Sequence, residues 1–458
     1  SQRNALLEGP VGRTLASLAW PILAVLALQT GVGIAETWFV SFLGTAAIAG
    51  VALVFPLFML MTMMSNGGIG GGVSSAVARA MGAGRRDDAN ALVLHAVVIA
   101  IAFGALFTAG AWIGGPILYR RLGAEGETLA NAVLYSNAVF AASIPSWIAN
   151  VLGSALRGVG NVRLPATVTA VGAVATLALS PLLIFGGGFI PGLGVAGAGV
   201  AMILFNVSAV VVLAGYLRSS KSTLRLRASR LEWRHFADIL KVGLLSAIGT
   251  IVANLTVVAT TAFVARFGAD AIAGYGLASR LDYALIPILF AIGTATVTLV
   301  GTSIGAGRME RARTVAWTAA FASAAIAGTI GLAAAAFPSA WMGLFSHEAN
   351  VIGAGSDYLV RVAPFYAFTG IGMALYFAAQ GAGRIAWPFS AGLARLATVV
   401  AAGSYWIASG HGSLEALFWI VAASQVLFGG INAFAMATGR SWGARRANRP
   451  AARLQPSA

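Results

Sequence analysis

Leu43-Gly44-Thr45-Ala46-Ala47-Ile48-Ala49-Gly50 is answered 224 positions later by Phe267-Gly268-Ala269-Asp270-Ala271-Ile272-Ala273-Gly274, and each stretch follows a long apolar run. Two further correspondences keep almost the same offset. Met81-Gly82-Ala83-Gly84-Arg85 returns 223 positions on as Ile304-Gly305-Ala306-Gly307-Arg308, and Arg157-Gly158-Val159-Gly160, with Pro165 behind it, returns as Gln380-Gly381-Ala382-Gly383 with Pro388. Matches at one spacing identify an internal duplication whose unit is roughly half the chain.

The residues around these repeats decide which solvent the protein meets. Of 458 residues, 59% are hydrophobic and only 9% charged, whereas a soluble domain carries about 25% charged residues. The mean hydropathy is +0.85. Crossing a hydrocarbon layer of ~30 Å takes ~20 apolar residues in a helix. Such runs recur twelve times, at 15–40, 46–80, 89–114, 128–155, 164–186, 194–217, 237–265, 271–304, 311–337, 356–382, 386–408 and 413–438. The expected fold is therefore an all-α polytopic membrane protein, with twelve transmembrane helices in two pseudo-symmetric six-helix bundles. Residues 1–220 form the first bundle, 221–236 a cytoplasmic linker, 237–440 the second bundle, and 441–458 a basic cytoplasmic tail. Six is an even number, so both halves enter from one side, and the repeat is parallel about an axis along the membrane normal.

The charge pattern supports the same count. All of the 29 basic residues except Arg120, Arg121, Arg266, Arg280, Arg361 and Arg395 fall in the termini and the even-numbered connections. Lys and Arg concentrate on the cytoplasmic side, so both termini are expected inside, with the chain multi-pass in the plasma (inner) membrane. The net charge of +15 then reads as a solvated rim facing anionic lipid headgroups, and nucleic acid is not an expected partner. The start, Ser1-Gln2-Arg3-Asn4, shows no short apolar core ending in a cleavage site. The run from Leu15 is expected to stay as a helix. With no cysteine in the chain, disulfides and thiolate metal sites are excluded.

Of fourteen acidic residues, only Glu36 and Asp282 lie well within apolar runs. A charge at bilayer depth costs ~2.5–3.5 kcal/mol on insertion scales, so an intramembrane carboxylate is a functional-site hypothesis by default. Each could carry a proton. Arg280 is two positions from Asp282, and residues two apart on a helix do not face each other. A partner for Asp282 is therefore expected from another helix, with Arg395 the candidate. Asn66, Asn150, Asn206 and His95 are polar residues in apolar runs, where interhelical hydrogen bonding is the ordinary role. Tyr366, Tyr376, Trp38 and the methionines at 59, 61, 63 and 64 could line a cavity for flat lipophilic ligands.

Two glycine-rich segments invite a nucleotide reading, Gly67-Gly68-Ile69-Gly70-Gly71-Gly72 and Gly192-Leu193-Gly194-Val195-Ala196-Gly197. Neither lies in a strand-to-helix unit, and no Gly-Lys-Ser/Thr follows. The first reads as close helix packing or a bendable stretch of the second helix, the second as a tight external turn. No Ser/His/Asp set, His-Glu-x-x-His or intramembrane acid pair supports an enzyme. No cofactor or bound metal is expected.

Several of these motifs together resemble the MATE (multidrug and toxic compound extrusion) transporters, over nearly the whole chain. Glu36-Thr37 ahead of Leu43-Gly44 resembles the family's first-helix acid-Thr motif, Arg280-Leu281-Asp282 its Arg-x-acid in helix eight, and Val300-Gly301 through Gly307 the glycine motif closing that helix. Arg157-Gly158-x-Gly160 with Pro165 is similar to its helix-four end. The resemblance implies a secondary antiporter, not an enzyme, that exports organic cationic or amphipathic compounds by alternating access in exchange for protons or sodium. In the DinF-like branch, a first-helix acid is central to coupling, and Glu36 matches that position. Where many members carry Asn and Asp ahead of the helix-five Pro, this chain has Thr176 and Ser180 before Pro181, and Met202 replaces a usual Thr. A hard cation wants several oxygens and compensating charge, so proton coupling is favoured over sodium. The implied proton-coupling residues are Glu36 and Asp282. The implied substrate cavity draws on Asn66, Asn150, Thr176, Ser180, Asn206, Arg280, Tyr366, Tyr376 and Gln380. The expected partners are a small organic substrate, protons or alternatively sodium, and membrane lipid, with the protein a monomer. A sodium-coupled exporter and a lipid-linked oligosaccharide flippase of the same superfamily are the alternatives.

Overall fold

The structure is a computed structural model that describes residues 2–410 and 412–442. His411 and most of the basic tail lie outside them. The apolar runs all become helices, and among the described residues eleven helices and one bent pair are long and apolar enough to cross a membrane. They are α1 (Val11–Ser41), α2 (Thr45–Gly82), α3 (Arg86–Arg121), α4 (Gly126–Ala141 with Ser143–Gly158, bent by 45°), α5 (Arg163–Phe185), α6 (Val195–Arg218), α7 (Trp233–Ala265), α8 (Ala269–Gly305), α9 (Met309–Ala336), α10 (Ala349–Gly381), α11 (Ala386–Ala408) and α12 (Leu414–Ala437). The twelve expected windows correspond one to one. The largest differences, seven residues each, are at the end of α3, which runs to Arg121 past the expected 114, and at the start of α10, which opens at Ala349 ahead of the expected 356, after an extended Glu348.

The duplication is visible in the backbone as well as in the residues. Gly44 and Gly268, equivalent in the two halves, take φ of 104° and 101°. A side chain at either would be strained, and so each half turns from its first helix into its second at the same place. Within α2, residues Met64–Ile69 form a turn of π-helix, an insertion that often marks a functional position.

Helices α2 to α6 pack on one another as one lobe and α7 to α12 as the other, and α1 lies on α5 of its own lobe and on α8 across the gap. The lobes touch through the half of each helix nearer the basic end, where α2 lies against α7 and α8. Glycine makes that approach possible. A Cβ on Gly72 would stand 2.7 Å from Ile239 O and 2.8 Å from Gly243 N, and one on Gly68 would stand 2.9 Å from Ala247 Cα. In a bilayer, packing of small residues replaces the hydrophobic drive between helices. The segment 67–72 is therefore a packing surface, in line with its reading from sequence. Polar bonds add direction: Ser75 Oγ donates to Gln380 O at 2.5 Å, Thr298 Oγ1 to Arg157 O at 2.8 Å, and Gln380 Nε2 to Gly67 O at 3.0 Å and Ser246 Oγ at 2.9 Å.

A strap joins the lobes over the same end. Arg225 N donates to Asn90 Oδ1 at 2.7 Å, Leu224 is fully buried, and Glu232 N donates to His95 Nε2 at 2.9 Å. The ion pair Arg79–Asp238 at 3.0 Å crosses from α2 to α7 beneath it.

Candidate functional site

The first lobe holds two polar groups at different depths. Glu36 lies in the last third of α1, half-buried, and receives a hydrogen bond from Ser180 Oγ to its Oε1 at 3.2 Å. Ser180 is fully buried on α5. Thr176, also buried, is four residues back on the same face of α5. Tyr135 of α4 packs against the small cluster of Val40, Ala47 and Ile184 beside them. Among the described residues no basic side chain pairs with this carboxylate. Two residues separately expected to matter, Glu36 and Ser180, are thus brought into contact by α1 crossing α5.

Nearer the basic end, a cavity of about 90 Å³ opens between α1, α2, α4, α5 and α6 and reaches Phe290 of α8. Asn66, Asn150 and Asn206 all line it, as does Arg157. The π-turn of α2 positions two of the contacts: Asn66 Oδ1 accepts from Arg157 Nη2 at 2.7 Å, and Ser65 Oγ accepts from Asn150 Nδ2 at 2.7 Å. Asn206 Nδ2 is held by Met202 O of its own helix at 2.9 Å. Arg157 was not among the expected cavity residues. As the last basic residue of α4 it reads in sequence as part of the solvated rim, but its side chain folds back along its own helix. Nη2 also reaches Ser154 Oγ at 2.7 Å, which places the guanidinium inside.

In the second lobe, Asp282 accepts hydrogen bonds from the hydroxyls of Tyr358 and Tyr366, both on α10. The hydrogen-bond partners do come from another helix, and Arg395 is not one of them. No nitrogen of Arg395 lies within ion-pair distance of a carboxylate among the described residues, and its guanidinium sits 5.9 Å from the ring centre of Phe428. A tyrosine pair neutralises nothing yet satisfies both carboxylate oxygens, which burial demands. Tyr366 is 1% exposed, and its hydroxyl is engaged with Asp282.

Arg280 points away from that cluster. It is exposed, 5.4 Å over Phe345 in the connection after α9, because it opens the helical segment Arg280–Gly305 where α8 bends. Tyr376 is half-buried, facing Ser246 and Gly249 of α7. Gln380 is fully buried in the interface between the lobes. The residues expected in the second half therefore serve three places, not one.

Known proteins share this architecture. A profile of the MatE family matches residues 21–182 and again 246–406, one match to each half. The FAD transporter of Shewanella oneidensis is 29% identical over 317 residues, 68% of this chain and 69% of that protein. A probable multidrug resistance protein NorM of Thermotoga maritima is 27% identical over 377 residues, 82% of this chain and 81% of its own length. Among solved structures, a MOP superfamily transporter from Pyrococcus furiosus superposes with a TM-score of 0.85 at 24% identity, covering 96% of this chain and 98% of that one. That likeness carries the fold. With the duplicated MatE profile spanning both lobes, the twelve helices and the intramembrane carboxylates, the chain belongs to the MatE family and is a multi-pass membrane transporter, not an enzyme.

Proposed function

We propose that this protein is a monomeric antiporter that exports amphipathic organic compounds in exchange for protons by alternating access. The observation that carries the reading is the contact of Glu36 with Ser180. A carboxyl at bilayer depth with a neutral hydrogen-bond partner changes its charge, and with it its hydrogen bonding, on taking up a proton. Where a second carboxylate would help to hold a hard cation, Ser180 offers a single hydroxyl. Asp282, held by two tyrosines, is the matching titratable group of the second lobe.

The packing supports the transport cycle. With both termini inside, the end at which the lobes meet is the cytoplasmic one, so this conformation opens outward. The halves, 1–220 and 237–440, rock as bodies about the strap 221–236. Glu36 couples the proton to that motion by preferring one facing state when neutral and the other when charged, since a ligand shifts an equilibrium only through such a difference. One relative is named a probable multidrug resistance protein and another an FAD transporter, so a broad amphipathic class fits better than a single compound.

The test is uptake of a panel of cationic, zwitterionic and anionic fluorescent compounds into inverted vesicles under separate proton and sodium gradients. A proton gradient alone should drive at least one of them, and Glu36→Gln, which copies the protonated carboxyl, should abolish that uptake. Uphill transport by Glu36→Gln, or transport driven by sodium alone, would remove Glu36-centred proton coupling.

A further inference from the structure

The duplication provides an internal control on the cavity's charge. Arg157 and Gln380 occupy equivalent positions, 223 apart in matching motifs. Gln380 is neutral, fully buried and spent on the lobe interface through Gly67 O and Ser246 Oγ. Arg157 instead delivers a permanent charge to a cavity in the first lobe. Its guanidinium donates from Nη2, to Asn66 Oδ1 and Ser154 Oγ. Among the described residues no carboxylate pairs with it, and the side chains it binds, Asn66 and Ser154, are both neutral.

An unpaired guanidinium walled in by helices is costly. Packing alone does not require it, because the equivalent helix end in the second lobe manages with Gln380. Guanidinium geometry matches phosphate and carboxylate oxygens. Further donors line the same space: the amide nitrogen of Asn66 is left over once Oδ1 accepts from Arg157, and Gln29 and Thr169 add an amide and a hydroxyl to the lining. Phe205 and Phe290 supply apolar wall on the other sides.

We infer that this cavity is an anion subsite, in which Arg157 with Asn66, Gln29 and Thr169 receives a phosphate or carboxylate group of the transported compound while its apolar body lies against Phe205 and Phe290. The inference rests on the proposed export function and narrows its substrate from amphipathic compounds in general to amphipathic anions, at the expense of simple organic cations.

The probes are FMN and riboflavin, one ring system with and without a phosphate. Their binding to the purified full chain in phosphatidylcholine nanodiscs is followed by flavin fluorescence. FMN should bind more tightly than riboflavin by about tenfold or more, the scale of one charge-assisted hydrogen bond. Arg157→Gln should erase the preference and Arg157→Lys should restore part of it. No preference for FMN in the native chain, which needs no variant to fold, overturns the proposal, as does an undiminished preference in a folded Arg157→Gln protein. Repeating the titration in phosphatidylglycerol nanodiscs separates two sources of the same chemistry: loss of FMN binding there assigns the subsite to lipid phosphate, and its persistence to a soluble anion. If FMN binds as expected but a proton gradient does not drive it into vesicles, the anion subsite stands and the proton-antiport reading fails.

Discussion

Single side chains in this protein are read most clearly where a charge meets the bilayer. Asp282 receives two tyrosine hydroxyls, and an amide in its place would keep one acceptor while turning a donor toward the second hydroxyl. Asp282→Asn should therefore leave the protein folded, lower its thermal midpoint in detergent, and cut proton-driven transport to about a tenth or less, in keeping with ~1.5–3 kcal/mol for a hydrogen bond to a charged group. Normal transport by this variant across pH 6 to 8 would make the residue purely structural. Tyr358→Phe separates the two roles, because it removes one hydroxyl and keeps the carboxylate. It should cost about 1–3 kcal/mol of stability, measured by thermal melts, with transport reduced but not lost. At Glu36, Asp in place of Glu retracts the carboxyl by one methylene from Ser180, so Glu36→Asp should retain part of the uptake that Glu36→Gln abolishes, with a shifted pH profile.

At the level of helices, the π-turn of α2 and the glycines that follow it set both the cavity and the closure. The extra residue of the turn Met64–Ile69 aims Ser65 and Asn66 at α4, and the glycines beyond it let α2 reach the backbone of α7. Gly72→Val should hold α2 and α7 apart at the basic end. The chain has no cysteine, so an engineered pair, Arg79→Cys with Asp238→Cys, is a clean reporter with a short bifunctional thiol reagent. Cross-linking should be efficient in the otherwise native background and fall several-fold with Gly72→Val. An unchanged yield would show that the lobes close without this contact. The native ion pair it replaces is partly exposed, and such pairs contribute about 0–1 kcal/mol, so its loss should not itself open the interface.

For the whole molecule, the proposed orientation rests on the distribution of Arg and Lys, and it has a direct test. A thiol label at Gly188→Cys, in the turn between α5 and α6, should react only from outside, and one at Arg227→Cys in the strap only from inside. A label at His411, which lies outside the described residues, should follow Gly188. Reaction of Gly188→Cys from the cytoplasmic side would invert the orientation and make the closed end of this conformation the external one.

Composition, run length and the repeat at 223 to 224 residues were enough for twelve helices, two related halves and a membrane setting, because each depends on local hydrophobicity and on glycines whose φ the backbone itself dictates. The candidacy of Glu36 and Asp282 was legible for the same reason: a carboxylate in an apolar run is conspicuous wherever the helix goes. Their partners were not. Ser180 meets Glu36 and two tyrosines meet Asp282 only because particular helices cross at those heights. Arg280 and Arg157 carry the same charge at helix ends, yet one stands exposed over Phe345 and the other folds back into a cavity. Hydrophobic periodicity specifies which segments enter the membrane, whereas the faces that meet, and so the side chains that share a cavity, are decided by packing between helices far apart in the chain.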